Sequence, residues 1–238
     1  VVSGPAGRRR AARRFFGATG PSYDQVARLA TLGADLWWKR RILASLPPRP
    51  GAILEQACGT GILTAALARR HPGARILALD QEPGYLAVAR AKLDGAARVE
   101  LVLGRAEELC PPGPWDCVVS SYLAKYADLP RLAANCRRLL RPGGRLVMHD
   151  FTLPPGPLYR RAWEAHFRLL QAAGGRLWPR WRHVFHELPG LLRASRWVPE
   201  LLGALAGQGF RRIRVMRLTF GSAALVTAQA PPAPGTGR

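Results

Sequence analysis

Lysine is nearly missing from this chain, and acids are few. Lys39, Lys92 and Lys125 are the only lysines, so arginine carries most of the 36 positive charges that face 15 carboxylates and leave a net charge of +21. That sign suits a nucleic acid or an anionic membrane. The arginines, however, are scattered over helices and strand edges, not gathered in one aromatic-interleaved stripe, and they come with abundant Ala, Gly and Pro. They read first as a GC-rich coding bias, second as attraction to a membrane surface and third as a nucleic-acid footprint. Long apolar runs are absent too. Nothing approaches the roughly 20 uninterrupted apolar residues of a membrane-spanning helix. The opening VVSGPAGRRRAARRFFG has no apolar core of the secretory type, and no hydrophobic segment follows that would complete a twin-arginine signal. Residues 1–22 are expected to form a plain basic arm, with a mitochondrial presequence as the competing reading. The four cysteines, Cys58, Cys110, Cys117 and Cys136, make no CxxC pair and no metal-ligand spacing. They favour reduced thiols, no metal and a cytoplasmic location, with peripheral attachment to a membrane as the option that the charge leaves open.

What is present is core material. Of the 238 residues 48% are hydrophobic, ample for one compact α/β domain and too few for two ordinary ones. Apolar runs alternate with helical patterns: strands are expected over 52–57, 74–80, 97–104, 116–122 and 145–151, and helices over 62–70, 83–93 and 129–140, with a turn at 142–144. That rhythm predicts a doubly wound, seven-stranded and mostly parallel sheet covered by helices, closed by a hairpin over 211–220 and 222–230 with an antiparallel last strand. Residues 23–46 read as helix broken near Gly33, and 157–209 as a helical insertion with a flexible joint at Gly174-Gly175. The single domain is expected over 23–230, followed by a disordered tail at 231–238. There is no internal repeat.

The stretch ILEQACGTG (53–61) leaves a strand through small residues, so that a ligand can lie against the backbone while the next helix aims its free N–H groups there. GxG alone is weak evidence, and the dinucleotide fingerprint wants a third glycine where Thr64 stands. Asp80 closes the second strand, where a carboxylate reaches ribose hydroxyls in doubly wound folds. Cys58 reads as a small packing residue.

Glu55-x-Ala57-Cys58-Gly59-Thr60-Gly61, LALD (77–80), GRAEEL (104–109), WDCVVSSY (115–122) and LLRPGGRLVMHDF (139–151) follow one another in an order and spacing that resembles the class I S-adenosylmethionine-dependent methyltransferases. The resemblance implies that Glu55, Ala57, Cys58, Gly59, Thr60 and Gly61 hold the methionine end of S-adenosylmethionine. It puts Asp80 with its neighbour Gln81 at the ribose, Ala106 and Glu107 at the adenine edge, and Ser120 and Ser121 beside the sulfonium. A narrower likeness, carried by FFGATGPSYDQVARLATLGADLWWKRRIL (15–43) and LVMHDFTLP (146–154), is to the ubiquinone/menaquinone-biosynthesis C-methyltransferases. It implies that Tyr23 closes over the cofactor carboxylate and that Asp150 lies near the acceptor. The chain departs from these patterns at Ala57, at Arg105 where a carboxylate is usual, and at Ala124-Lys125 where the quinone family carries Arg-Asn.

Methyl transfer needs a dry pocket that aligns the acceptor, and in some cases a base. Asp150, His149 and Tyr122 are the catalytic candidates, at the ends of strands five and four, with Tyr126 as a further wall. His149 and Asp150 should point to opposite faces, so one of them serves the pocket. Lys125 reads as a solvated lysine sooner than one that steers an anion. His183 and His186 in WRHVFHEL lack a second ligand cluster. Trp163, Phe167, Trp178, Trp181, Phe185 and Trp197 fit a lid over a hydrophobic, ring-containing acceptor, and Trp37 and Trp38 could close the same chamber. Three other readings stand beside this one. A nucleic-acid methyltransferase lacks its Asp/Asn-Pro-Pro-Tyr, because SSYL stands there. The others are a cofactor binder without catalysis and an NAD-dependent oxidoreductase.

Overall fold

The computed structural model describes residues 19–232, together with residues 7, 10, 12 and 14–17. Most of the expected basic arm, and the expected disorder at 233–238, lie outside the described residues.

Seven strands, β1 Ala52–Gln56, β2 Arg75–Asp80, β3 Val99–Leu103, β4 Trp115–Ser121, β5 Leu140–Phe151, β6 Arg211–Leu218 and β7 Ala223–Gln229, form one sheet in the order β3-β2-β1-β4-β5-β7-β6. The β1, β2, β3, β4 and β5 pairings are parallel, and β7 is antiparallel to both of its neighbours. The order reverses between β1 and β4, which opens a crevice at the carboxyl ends of those strands.

Around it run the helices α1 Tyr23–Ala30, α2 Ala34–Ala44, α3 Ile62–Arg70, α4 Pro83–Lys92, α5 Leu129–Leu139, α6 Pro157–Leu169, α7 Arg182–Ala194 and α8 Trp197–Gly207. Strand alternation sorts the core into two layers. Leu54, Leu77, Val118 and Leu146 meet α5 and α8 on one face, whereas Ile53, Ile76, Val119 and Val147 meet α2 and α3 on the other. The break expected near Gly33 is there: that glycine has φ +78 and starts α2.

Two expectations are corrected. The Pro142-Gly143-Gly144 turn lies inside β5. Leu140 still pairs with Trp115 and Arg145 with Cys117, so the residues between them bulge out of a continuous strand. The glycine pair at 174–175 is helical, with φ of −62° and −64°, in a π-turn (Leu170–Gly174) that runs into a short helical turn. A Cβ on Gly174 would sit 2.8 Å from the Phe185 ring. The glycine allows α7 to pack closely, and the geometry is that of a wall, not a hinge.

Candidate active site

The loop after β1 is built to leave space. Ala57 and Gly59 both have φ +57, in the left-handed region, so the chain turns sharply away from the crevice. Asp80 fixes the turn: its Oδ2 accepts from the Gly59 N–H at 2.8 Å and its Oδ1 from the Glu82 N–H at 2.9 Å. Burial pushes the Asp80 pKa up, while the N–H groups of Glu82 and Gly59 pull it back. On the far side, Asn135 Nδ2 donates to the carbonyls of Ala106 and Leu109 at 2.7 and 2.9 Å and pins the loop after β3. Arg105 lies on the wall and pairs with Glu107 and Glu108.

The result is a crevice of about 740 Å³, its open mouth included. Tyr23, Ala57, Gly59, Asp80, Gln81, Ala106, Glu107, Ser121 and Tyr122 line it, as the sequence implied. The other implied residues do not reach its wall. Cys58 packs against Ala78 and Leu86, which suits a packing residue, and burial holds its thiol well above the usual range. Thr60 donates its hydroxyl to Asp24 at 2.5 Å. Gly61 sits against Ala89 and Leu93, 3.2 Å from where a Cβ would stand. The Glu55 Oε2 and Ser120 Oγ atoms are buried with no hydrogen-bond partner. Burial raises Glu55 to about 8 against the opposing charge of Lys39.

A second, larger chamber of about 1360 Å³, its open mouth included, lies beyond the first. Phe16, Tyr23, Tyr122 and Tyr126 line both and form the partition between them. The rings are in contact edge-on: Phe16 lies 5.7 Å from Tyr85 and 5.6 Å from Tyr126, and Tyr23 lies 5.3 Å from Tyr85. Trp163, Phe167, Trp181 and Phe185 of the insertion face the chamber, as does Trp38. Trp178 and Trp197 do not; Trp197 is in the sheet core and donates Nε1 to the Phe151 carbonyl at 2.7 Å. Trp37 is exposed. Two hydrogen bonds tie the insertion to α1 and the turn before it: Trp181 Nε1 donates to Ser22 Oγ at 2.9 Å, and His166 Nε2 lies 2.7 Å from the Ala30 carbonyl.

At the inner end of the chamber stands Lys125. Its side chain is 2% exposed, so the solvated lysine expected from sequence is overturned. Nζ donates to Asp150 Oδ1 at 2.6 Å and lies 4.4 Å from the Tyr126 ring and 5.4 Å from the rings of Tyr122 and Phe151. Burial lowers its pKa, and Asp150 opposes that shift. Asp150 also accepts from the backbone N–H groups of Lys125 and Phe151 and does not line either cavity. His149 is enclosed as well, 5.2 Å from Trp38 and from Tyr122, with Nδ1 3.1 Å from Ser121 Oγ. Burial, helped by Lys39 and Lys125, drives its pKa well below the usual value, so it stays neutral at pH 7. Tyr122 faces both cavities at φ +67 and donates its hydroxyl to Asp35 at 2.6 Å; Asp35 is in turn paired with Lys39. His183 Nε2 donates to the Arg14 carbonyl, 2.9 Å away. Among the described residues no group of His, Cys, Asp and Glu could hold a metal ion.

Sequence reading passed over Phe16, Tyr85, Asp35 and Lys39, and misjudged Lys125. The aromatic pair FF (15–16) and Tyr85 at the start of α4 carried a faint signal; Asp35 and Lys39, four apart on one helix face, carried a clearer one.

The chain is similar to known methyltransferases. Residues 53–144 match the methyltransferase domain family. The demethylmenaquinone methyltransferase of Thermus thermophilus is 34% identical over 223 residues, spanning 91% of this chain and 100% of the relative. That of Clavibacter sepedonicus is 31% identical and spans 89% and 86% of the two chains. Human N-acetylserotonin methyltransferase, solved with S-adenosylmethionine, shares the fold at a TM-score of 0.59 and 16% identity, over 92% of this chain and 60% of that one.

Proposed function

The chain belongs to the demethylmenaquinone methyltransferase family of S-adenosylmethionine-dependent enzymes, and from that premise we propose that it methylates a ring carbon or ring oxygen of a quinone-type acceptor held in the aromatic chamber. The observation that carries this reading is the pair of cavities sharing one aromatic partition. Donor and acceptor each have a compartment, and only rings separate them.

The donor set of the smaller crevice suits S-adenosylmethionine. Asp80 offers carboxylate oxygens to ribose hydroxyls, and Ala106 and Glu107 border the adenine position. Tyr23 and Tyr126, with Phe16 and Tyr85, present ring faces that attract a cation. Bound there, S-adenosylmethionine supplies a methyl group on a sulfonium, an already activated donor. The remaining implied residues, Glu55, Cys58, Thr60, Gly61 and Ser120, act from behind by shaping the loop and strand ends.

On the acceptor side the insertion over 157–209 is the lid of a single domain over 23–230, and it keeps water from the ring. Lys125 is the cation that meets the acceptor, and Asp150 holds it in place and balances its charge. An ionised ring hydroxyl beside Lys125 would carry electron density to the carbon that takes the methyl group. Tyr122, held by Asp35, fixes the ring's angle, and neutral His149 fixes Ser121. Alignment of the two reactants in such a site is worth up to about 7–11 kcal/mol of barrier. Peripheral attachment to a membrane belongs to the same reading, supported by the net charge of +21. Calorimetry with S-adenosylhomocysteine and NAD, followed by incubation with labelled S-adenosylmethionine and a reduced naphthoquinone, tests the proposal. Binding of NAD in place of S-adenosylhomocysteine would end it.

A further inference from the structure

The large chamber is open at its outer end, where the α1–α2 turn, the start of α6 and the β6–β7 turn come together. Leu32, Phe220 and Tyr159 line the chamber and are nevertheless 82%, 70% and 44% exposed. The Tyr159 and Phe220 rings stack at 4.8 Å across two of these segments. Leu158, 72% exposed, widens the apolar surface. Two of the projecting residues stand on costly backbone: Leu32 has φ +51 and Phe220 φ +54. Strain that holds large apolar side chains out in water serves neither packing nor solubility, and it points to a use outside the protein.

Charge identifies what that use is. Residues 25–34, 151–163 and 211–223 contain no aspartate or glutamate, while Arg28, Arg160 and Arg161 are exposed beside the projecting side chains. The acids that flank these segments, Asp24, Asp35, Asp150 and Glu164, are each paired with a cation, so the opening keeps a positive excess. Other acids sit at the donor crevice, in Asp80, Glu82 and Glu107. Apolar tips ringed by cations match an interface of acyl chains under anionic headgroups.

We propose that this rim docks on an anionic lipid bilayer and that the acceptor passes from the bilayer through the opening into the chamber. The route rests on the function proposed above; the docking does not. Lipid in place of a protein partner is favoured because the exposed apolar tips ring the mouth of an apolar chamber and stand beside exposed arginines.

The test is cosedimentation of the whole chain with vesicles of phosphatidylcholine alone and of equal parts phosphatidylcholine and phosphatidylglycerol. The mixed vesicles should carry the protein down and the neutral ones should not. The double variant Arg28→Glu/Arg161→Glu, whose positions lie outside the chamber wall, should reduce partition at least tenfold. Affinity for S-adenosylhomocysteine and turnover of a tail-less reduced naphthoquinone should stay at wild-type level, while turnover of a long-tailed acceptor in mixed vesicles falls. No binding to mixed vesicles, or binding that the double variant leaves unchanged, overturns the docking surface. Loss of S-adenosylhomocysteine binding in the wild type would instead overturn the functional reading and leave the vesicle result standing.

Discussion

Replacing Asp80 by alanine probes the donor crevice at its centre. The carboxylate spends one lone pair of each oxygen on the N–H groups of Gly59 and Glu82. Asp80 lines the cavity while being only 8% exposed. A ribose diol offers two donors, and a hydrogen bond to a charged group is worth about 1.5–3 kcal/mol net. Losing both therefore costs about 3 kcal/mol or more, a rise in Kd of roughly a hundredfold or beyond. The freed Gly59 loop adds to the loss. Asp80→Asn keeps one acceptor oxygen but turns an amide donor toward a backbone N–H, so its loss should fall between wild type and Asp80→Ala. Isothermal calorimetry with S-adenosylhomocysteine reads affinity without turnover, and circular dichroism checks that the variants are folded. A folded Asp80→Ala variant that binds within about threefold of wild type, well under 1 kcal/mol, would show that the ribose lies elsewhere.

Three further outcomes are expected. Glu55 is raised by burial from 4.5 to about 8, so the folded chain holds a proton that the unfolded chain releases above its ordinary pKa. The contribution of Glu55 to stability should be fullest below pH 4.5 and fall by about 1.4 kcal/mol per unit as pH rises toward 8. Glu55→Gln should flatten that slope in urea titrations run across this window; an unchanged slope would refute the assignment. Lys125→Met strands the Asp150 carboxylate in the interior and should destabilise by about 3–5 kcal/mol, with Lys125→Met/Asp150→Asn less damaging than the single change. A double variant as damaging as the two single changes summed would mean that the pair is not coupled. Ala57→Gly removes a side chain from φ +57, and calorimetric melting should rise by a few degrees for about 1 kcal/mol of relieved strain. A lower melting temperature would show that Ala57 carries no strain.

The sheet and the donor crevice were legible because they rest on local pattern. Apolar alternation set the strands, and the small residues after β1 with an acid ending β2 set the crevice. The second chamber was legible only as an excess of aromatics. Its chemistry depends on partners far apart in the chain: Tyr122 finds Asp35 from 87 positions away, and Lys125 finds Asp150 across 25. No periodicity announces such pairs, and a lysine in a loop after a strand looks solvated until the elements above it are in place. Gly174 misled for a similar reason: a double glycine suggests freedom, whereas here Phe185 occupies the volume that a side chain would need.

The outermost strand, β6, follows β7 at one margin of the sheet. Val215 and Met216 are each 40% exposed there, a sticky ribbon with free backbone groups on its outer side. The same ribbon carries Arg211, Arg212, Arg214 and Arg217. Another copy sliding alongside to extend the sheet would set like charges against like, so the strand repels its own kind. A margin that would otherwise seed fibres is guarded by electrostatic rejection.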